Sequence, residues 1–312
     1  MNNLFFVIGS VVMNKKRKRK IKPSIKRKIR ILIVVIVIYM IIAKILSPYL
    51  SSIRLVEDNG QINESAAIPS NNLGYDKVSS IKNNVGTIEE RLDKLKEQDS
   101  RINTIISNYN DYPEELVDML SRNIDMIDFV LKYPNKKGNV YSDNIGNISK
   151  GKIPLLLQWD ERWGYANYGE NIIAINGCGP TALSMVLAGL KGDSSITPYK
   201  VAKYAEDNGY YVSGSGSSWS LMSDAPSAFG VKSEELPLYK DTIMSILKKG
   251  QPIICIMGEG DFTTTGHFIV LTGVEDGKIK VNDPNSKARS NLLWDYDRIA
   301  PQIRNLWTFY IK

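Results

Sequence analysis

The fold is decided by the stretch Asn176-Gly177-Cys178-Gly179-Pro180-Thr181-Ala182-Leu183-Ser184-Met185-Val186-Leu187. A cysteine lies between two glycines, and the proline that follows suits the first turn of a helix because its φ is already helical. Apolar residues then recur at helical spacing, which predicts a helix over Pro180–Leu190 with a buried face. The Cys178 sulfur would lie at the positive end of this helix, where thiolate is favoured over thiol. The stretch therefore predicts either a reactive nucleophile or a small buried cysteine.

Two cysteines and one histidine limit the chemistry open to these 312 residues. Two cysteines are too few for a disulfide-rich scaffold. Cys255 lies in the apolar run Pro252–Met257, which predicts a buried strand and a cysteine that fills the core. His267 is the only histidine, so a site with several histidine ligands is impossible. The acidic residues lack metal-ligand spacing, so we predict no metal site and no cofactor.

The basic charge of the chain belongs to its N-terminal end. Residues 1–56 contain 13 of the 40 Lys and Arg and none of the 33 Asp and Glu, so the remainder carries a net charge of −6. An apolar segment, residues 31–50, directly follows the basic run of residues 15–30. A nucleic-acid partner is therefore not expected, because the basic residues flank a membrane-like segment.

Residues 31–50 predict a single-pass transmembrane helix. As a helix this segment would be about 30 Å long, enough to cross a hydrocarbon core. The positive-inside rule places residues 1–30 in the cytoplasm and the C-terminal domain outside it, at the cell membrane. The alternative is a cleaved signal peptide, although no small-residue cleavage site follows the segment. Both interpretations export the C-terminal part.

A linker at residues 51–75 and a helical region at 76–133 are predicted next. Apolar residues recur three and four apart from Val78 to Tyr109, a heptad pattern with one polar member, Asp99. Residues 78–109 could form a coiled-coil stalk that makes a homo-oligomer, or a long helix packed on its own domain. A second helix should begin at Pro113, where proline suits the first turn.

Residues 152–312 predict a mixed α+β domain. We expect strands at 153–157, 252–257, 268–274 and 278–282, and helices at 180–190, 197–208, 220–229 and 240–249. A tight turn at Glu275-Asp276-Gly277 should join the last two strands as an antiparallel hairpin. His267 at the start of one strand would then lie beside Asp283 at the end of the other. An acid there would orient the imidazole, and a Cys178 nucleophile needs such a histidine.

Four ordered motifs resemble the C39-like cysteine peptidase family, which has a papain-like fold. The motifs are Ile153–Gly164, Cys178–Thr181, Gly266–Gly273 and Asn282–Pro284, within about residues 152–311. The resemblance implies an N-terminal helix that carries the cysteine and an antiparallel sheet that carries the histidine and aspartate. It also implies a peptide or protein substrate and a hydrolase activity.

The resemblance assigns a role to each matching residue. Cys178 would be the nucleophile, His267 the general base and acid, and Asp283 the residue that orients the histidine. Gln158 would help the Cys178 N–H to hold the oxyanion. Bacteriocin-processing members carry that glutamine a few residues before the cysteine, where this chain has Ile172 and Ile173. Gln158 therefore acts only if the intervening segment loops out.

Substrate contacts are expected from residues near these motifs, namely Trp159, Gly177, Trp219 and Gly266. Trp159 could equally belong to the core, and the loop before Trp219 could be a linker. Two other functions remain open. One is a catalytically silent peptide-binding module, and the other is a peptidyl- or acyl-transferase or an amidase that acts on cell-wall peptides.

Overall fold

Short helices and strands alternate irregularly along residues 86–311, the part of the chain that this computed structural model describes. All of these residues belong to one compact unit, Pro69–Lys312. The helices are α1 (Ile88–Leu95), α2 (Ile102–Ser107), α3 (Glu114–Arg122), α4 (Ile127–Lys136), α5 (Ile173–Asn176), α6 (Cys178–Lys191), α7 (Pro198–Asp207), α8 (Ser220–Ser223), α9 (Lys240–Lys248), α10 (Lys287–Ser290) and α11 (Tyr296–Ile299). The strands are β1 (Asn167–Tyr168), β2 (Asn171–Ile172), β3 (Tyr211–Val212), β4 (Gly216–Ser217), β5 (Lys232–Glu235), β6 (Ile253–Met257), β7 (His267–Glu275), β8 (Lys278–Asn282), β9 (Leu293–Trp294) and β10 (Ile303–Tyr310).

The main sheet has the strand order β5-β10-β6-β7-β8-β9, and every neighbouring pair is antiparallel. The strands predicted at 252–257, 268–274 and 278–282 are confirmed as its centre. Asp276 and Gly277 both have positive φ, 50° and 75°, as a two-residue type I′ turn requires. This turn brings the start of β7 to the same edge of the sheet as the end of β8.

Helix α6 covers one face of the sheet. Its residues from Gly179 to Gly189 are buried, and they share a core with the alternate residues Ile254 and Ile256 of β6. Cys255 points to the opposite face, where it packs in a second core with residues of α9. The period of two along a strand thus places the two cysteines on opposite sides of the sheet.

Helices α1 to α4 form a helical layer against the segment that precedes α6. Phe129 of α4 stacks on Tyr165 with ring centroids 4.0 Å apart, and the Tyr165 hydroxyl donates to the Phe129 carbonyl. Leu92 and Ile102 are buried in the same core as Leu157. Where it is described, the heptad segment packs on its own domain, one of the two predicted alternatives.

The continuous helix predicted over residues 78–109 is wrong in its described part, because α1 ends at Leu95 and α2 begins at Ile102. The Asp99 carboxylate accepts hydrogen bonds from the backbone N–H and the guanidinium of Arg101. Such local side-chain bonds compete with helical ones and interrupt the helix. Residues 78–85 lie outside the described part, and self-association stays a prediction.

Two further predicted elements differ in the structure. The segment 153–157 is not a strand, because Pro154 cannot donate to a ladder and the Asn282 side chain donates to the carbonyls of Ile153 and Pro154. The helix predicted at 220–229 is only the short α8 followed by a 3₁₀ turn that contains Pro226.

The N-terminal predictions lie outside the described residues. They are the cytoplasmic segment 1–30, the transmembrane helix 31–50 and the linker 51–75. Within residues 86–311, each helix is too short or too polar to cross a bilayer.

Candidate active site

Cys178 begins helix α6 and is partly exposed in a groove at the edge of the sheet. Cys178 and His267 both line this groove, and the side chain of His267 and the backbone N–H groups of Phe268 and Gly179 favour the charged form of the sulfur. Burial alone would raise the pKa of the thiol, but the histidine and the N–H groups outweigh it and lower that pKa. The site therefore favours the thiolate, which is the nucleophilic form of cysteine.

His267 is held between the thiol and a buried carboxylate. Its Nε2 atom lies 2.8 Å from Oδ1 of Asp283, so Nδ1 is the ring nitrogen that remains available to Cys178. Burial lowers the pKa of His267, but the charge and hydrogen bond of Asp283, together with Cys178, raise it to about 9. The sequence prediction that the hairpin brings His267 and Asp283 together agrees with this geometry.

Asp283 is completely buried, and both of its carboxylate oxygens are occupied. Oδ1 accepts from His267 and from the Asn285 N–H at 2.7 Å, and Oδ2 accepts from Nε of Arg289 at 2.5 Å. Burial raises the pKa of this carboxyl, but Arg289 and His267 together hold it well below its usual range. The carboxylate is therefore charged at any physiological pH.

Arg289 contacts the predicted site residue Asp283, but the sequence did not predict it. It follows Asp283 by six residues, and nothing in that spacing signals a contact. The available signal is Ser286, whose Oγ caps α10 by accepting from the Arg289 N–H at 3.1 Å. That cap folds the turn so that the guanidinium returns to the carboxylate.

The groove beside Cys178 has a volume of about 930 Å³. One wall is the loop that carries β3 and β4, including Trp219, and the other includes the ends of β6 and β7 with Gly266. The helical layer contributes Glu115 of α3. Trp219 and Gly266 thus lie where substrate contacts were predicted, and Trp219 is 47% exposed.

The other three predicted site residues lie outside the groove walls formed by the described residues. Gln158 is 2% exposed, and its Nε2 donates to the Ala174 carbonyl at 2.7 Å, under the start of α6. Trp159 packs in the helical-layer core and donates to the Asn285 carbonyl at 3.0 Å. At Gly177 an added Cβ would lie 2.5 Å from the Ile173 carbonyl, so this glycine lets α5 approach α6.

Metal ligands are not clustered in the described part of the chain. Among residues 86–311, no group of three or more His, Cys, Asp or Glu side chains could hold a metal ion.

The site combines a half-buried thiol with a histidine that a carboxylate anchors. Comparison with protein families identifies the family of the chain. The model described as the Peptidase_C39 like family matches residues 150–310, slightly more than half of the chain. The chain belongs to this family. A search of curated proteins finds no match.

Several solved structures resemble the chain at low identity. The peptidase domain of Streptococcus ComA, described as a bifunctional ABC transporter of a quorum-sensing pathway, is 17% identical, with a TM-score of 0.34 over 44% of this chain and 93% of its own. A putative C39-like peptidase from Bacillus anthracis is 14% identical, with a TM-score of 0.36 over 54% and 98%. A double glycine motif protease from an AMS/PCAT transporter, solved with its leader peptide, is 18% identical, with a TM-score of 0.32 over 54% and 99%.

Proposed function

We propose that this chain is a cysteine peptidase that hydrolyses amide bonds through Cys178, His267 and Asp283. One observation carries the proposal: Cys178 lines an open groove together with His267, a histidine that a buried carboxylate anchors. A cysteine that only fills space needs neither the groove nor the histidine. Membership of the C39-like family supports the same class of chemistry.

In the first half of the proposed reaction, the Cys178 thiolate attacks the carbonyl carbon of a peptide amide. A C–S bond forms, and the carbonyl oxygen becomes an oxyanion at the start of α6, where N–H groups have no acceptor within the helix. The proposed donors to it are the Cys178 N–H and the side chain of Gln158. The His267 imidazolium then protonates the leaving nitrogen, the C–N bond breaks, and a thioester remains on Cys178.

In the second half, neutral His267 takes a proton from a water molecule, whose oxygen attacks the thioester carbonyl. The C–S bond breaks, the acid product leaves, and Cys178 returns to its thiolate form opposite the imidazolium. Asp283 holds the ring through Nε2 during both halves, so that Nδ1 always faces the sulfur.

The experiment incubates the full chain, purified in detergent, with peptide mixtures and with cell-wall peptide fragments in heavy-oxygen water. Mass spectrometry should find products whose new carboxylate carries the heavy oxygen. Cys178→Ala and His267→Ala should each lose about 10³-fold or more of turnover, while Cys255→Ala, on the opposite face of the sheet, should retain it. Near-normal turnover by Cys178→Ala would overturn the assignment.

The same experiment separates the two other functions. A transferase would join the acyl group to an added amine, and the product would lack the heavy oxygen. A silent binding module would bind peptide equally well as wild type and as Cys178→Ala, with turnover by neither. An amidase would act on the cell-wall fragments and leave the peptide mixtures intact.

We also propose that the peptidase domain lies outside the cytoplasm, anchored by residues 31–50. The support is the basic run of residues 15–30 followed by an apolar segment of spanning length. A membrane-impermeant maleimide added to intact cells should label Cys178, and Cys178→Ala should abolish the label. Labelling that requires cell lysis would contradict an external domain.

A further inference from the structure

Arg289 occupies the side of the Asp283 carboxylate that faces away from His267. Its Nε donates to Oδ2 over 2.5 Å, while His267 Nε2 lies 2.8 Å from Oδ1. Asp283 is 0% exposed and Arg289 is 6% exposed. A guanidinium, a carboxylate and an imidazole are therefore arranged in one buried row, and the partly exposed thiol of Cys178 lies at its groove end.

The fold holds the guanidinium in place from several directions. Trp294 Nε1 donates to the Arg289 carbonyl at 3.0 Å, and the guanidinium carbon lies 6.0 Å from the ring centroid of Phe262. Within residues 86–311, Asp283 is the acid with which Arg289 pairs, and its Nη2 atom has no hydrogen-bond partner there. The charge of Arg289 is thus directed at this one carboxylate.

The charges of this row balance in both states of the proposed reaction. Before acylation the row contains thiolate, imidazolium, carboxylate and guanidinium, so its net charge is zero. After acylation the sulfur is neutral, and His267 must lose its proton to act as a base toward water. The carboxylate and the guanidinium then cancel one another. Without the guanidinium, a buried carboxylate alone would hold the proton on the imidazole.

We infer that Arg289 is a positioning residue that balances the charge of Asp283 and so keeps neutral His267 accessible in the acylated protein. The inference rests on the proposed function, because it concerns the second half of that reaction. Arg289 limits how firmly Asp283 holds a proton on the ring, and it keeps the carboxylate oriented toward Nε2. Arg289 is not among the residues that line the groove.

Other charged side chains also face the groove. They are Glu115 of α3, Glu170 after β1, Glu259 after β6 and Arg304 of β10. A substitution at Arg289 leaves all four unchanged. A difference in titration between the wild type and an Arg289 variant therefore reports on the guanidinium.

The test uses p-nitrophenyl acetate as the acylating probe, because an activated ester acylates a thiolate without any peptide specificity. The thioester on the intact full chain is followed by mass spectrometry, and its hydrolysis is timed from acid to alkaline pH. In the wild type, hydrolysis should accelerate as His267 loses its proton. In Arg289→Gln the midpoint should move up by about one pH unit, so that hydrolysis well below the midpoint slows about tenfold. The rate at high pH should stay within about threefold.

Two variants separate charge from structure. Arg289→Lys keeps the positive charge, so its midpoint should stay near that of the wild type. Arg91→Gln is the matched control, because Arg91 is 7% exposed and pairs with Asp118 in the helical layer. It removes a similarly buried arginine that does not contact the site, and its midpoint should not move.

The outcomes that overturn the inference are specific. One is an unchanged or lowered midpoint in Arg289→Gln, provided that thermal unfolding shows the variant to be folded. If Arg289→Gln does not fold, Arg289→Lys decides, and a midpoint raised by a full unit despite the retained charge overturns the inference. If the wild type forms no thioester on Cys178, both the proposed function and this inference are overturned. If the thioester forms but the midpoint of its hydrolysis does not move in Arg289→Gln, only the inference about Arg289 is overturned.

Discussion

Asn123 Nδ2 donates a hydrogen bond of 2.8 Å to the carbonyl oxygen of Asn285. Trp159 Nε1 donates to the same oxygen at 3.0 Å, and the Asn285 N–H donates to Asp283 Oδ1 at 2.7 Å. Asn123 lies at the end of α3 and precedes the residues that the family model matches. The helical layer thus holds the turn that carries the carboxylate behind His267.

Asn123→Ala should lower the free energy of unfolding by about 1 kcal/mol, the usual effect of one lost hydrogen bond. The loss should not be larger, because the Asn285 carbonyl keeps its bond from Trp159. Urea denaturation measures the change. Asn103→Ala, at an exposed position in α2, is the control and should change stability by less than about 0.5 kcal/mol. Equal losses in the two variants would show that the contact with Asn285 is not stabilising.

The dependence of kcat/KM on pH should be bell-shaped. Because the pKa of Cys178 is lowered, its thiolate is present at pH values below the ordinary thiol pKa. Because the pKa of His267 is raised to about 9, its imidazolium remains present at pH values above the ordinary histidine pKa. Activity should rise as pH passes the lowered thiol pKa and fall near pH 9, and the two limbs belong to the coupled pair. Asp283→Asn removes the charge that supports the imidazolium, so the alkaline limb should move to lower pH. An alkaline limb that stays in place would refute the role of Asp283.

Gln158→Ala should reduce kcat by about 10²-fold with little change in KM, as expected for a donor to an oxyanion. The amide already donates to Ala174, so the thermal stability of the variant has to be measured beside its rate. Asn176→Ala is the comparison, because Asn176 lines the groove two residues before Cys178. It should lose less than about tenfold of kcat. If Asn176→Ala loses more kcat than Gln158→Ala, the donor to the oxyanion is Asn176 and not Gln158.

Trp219→Ala should raise KM by about tenfold and leave kcat near its wild-type value, because the indole forms part of the groove wall without touching the reacting atoms. The ring is 47% exposed and meets Trp307 edge to face at 6.3 Å. Tyr239→Ala is the control, since Tyr239 is 67% exposed away from the groove. Steady-state kinetics on a peptide substrate should show no effect of that control. A drop in kcat for Trp219→Ala would contradict a pure binding role.

The parts of the fold that the sequence predicts well depend on local patterns. Strands β6 and β8 are short apolar or alternating runs, and the Asp276-Gly277 turn requires positive φ that few other residue pairs accept. Helix α6 follows from its proline and its apolar spacing. Because the hairpin register also follows from the turn, the meeting of His267 and Asp283 could be predicted from residues that are close in sequence.

The parts that the sequence does not predict depend on distant partners. The segment 153–157 has the composition of a strand, but Asn282 binds its carbonyls and prevents ladder pairing. Strand β10 lies between the edge strand β5 and β6, and its residues mix polar and apolar types, so its pattern is weak. Glu115 reaches the groove only through tertiary packing, whereas Arg289 reaches Asp283 through a local turn that Ser286 caps. Their positions leave no periodic signal in the chain.

The position of Glu115 bears on which part of the chain determines substrate selectivity. It belongs to α3, yet it faces the groove beside Cys178, whereas the family match begins at residue 150. The groove wall therefore extends to α3, outside the residues that the family model matches. Relatives that share the family domain but differ in the preceding segment would keep the chemistry proposed for Cys178 but would have a different groove wall. Preference for substrate could thus diverge through exchange of one helical layer, while the nucleophile and its partners stay constant.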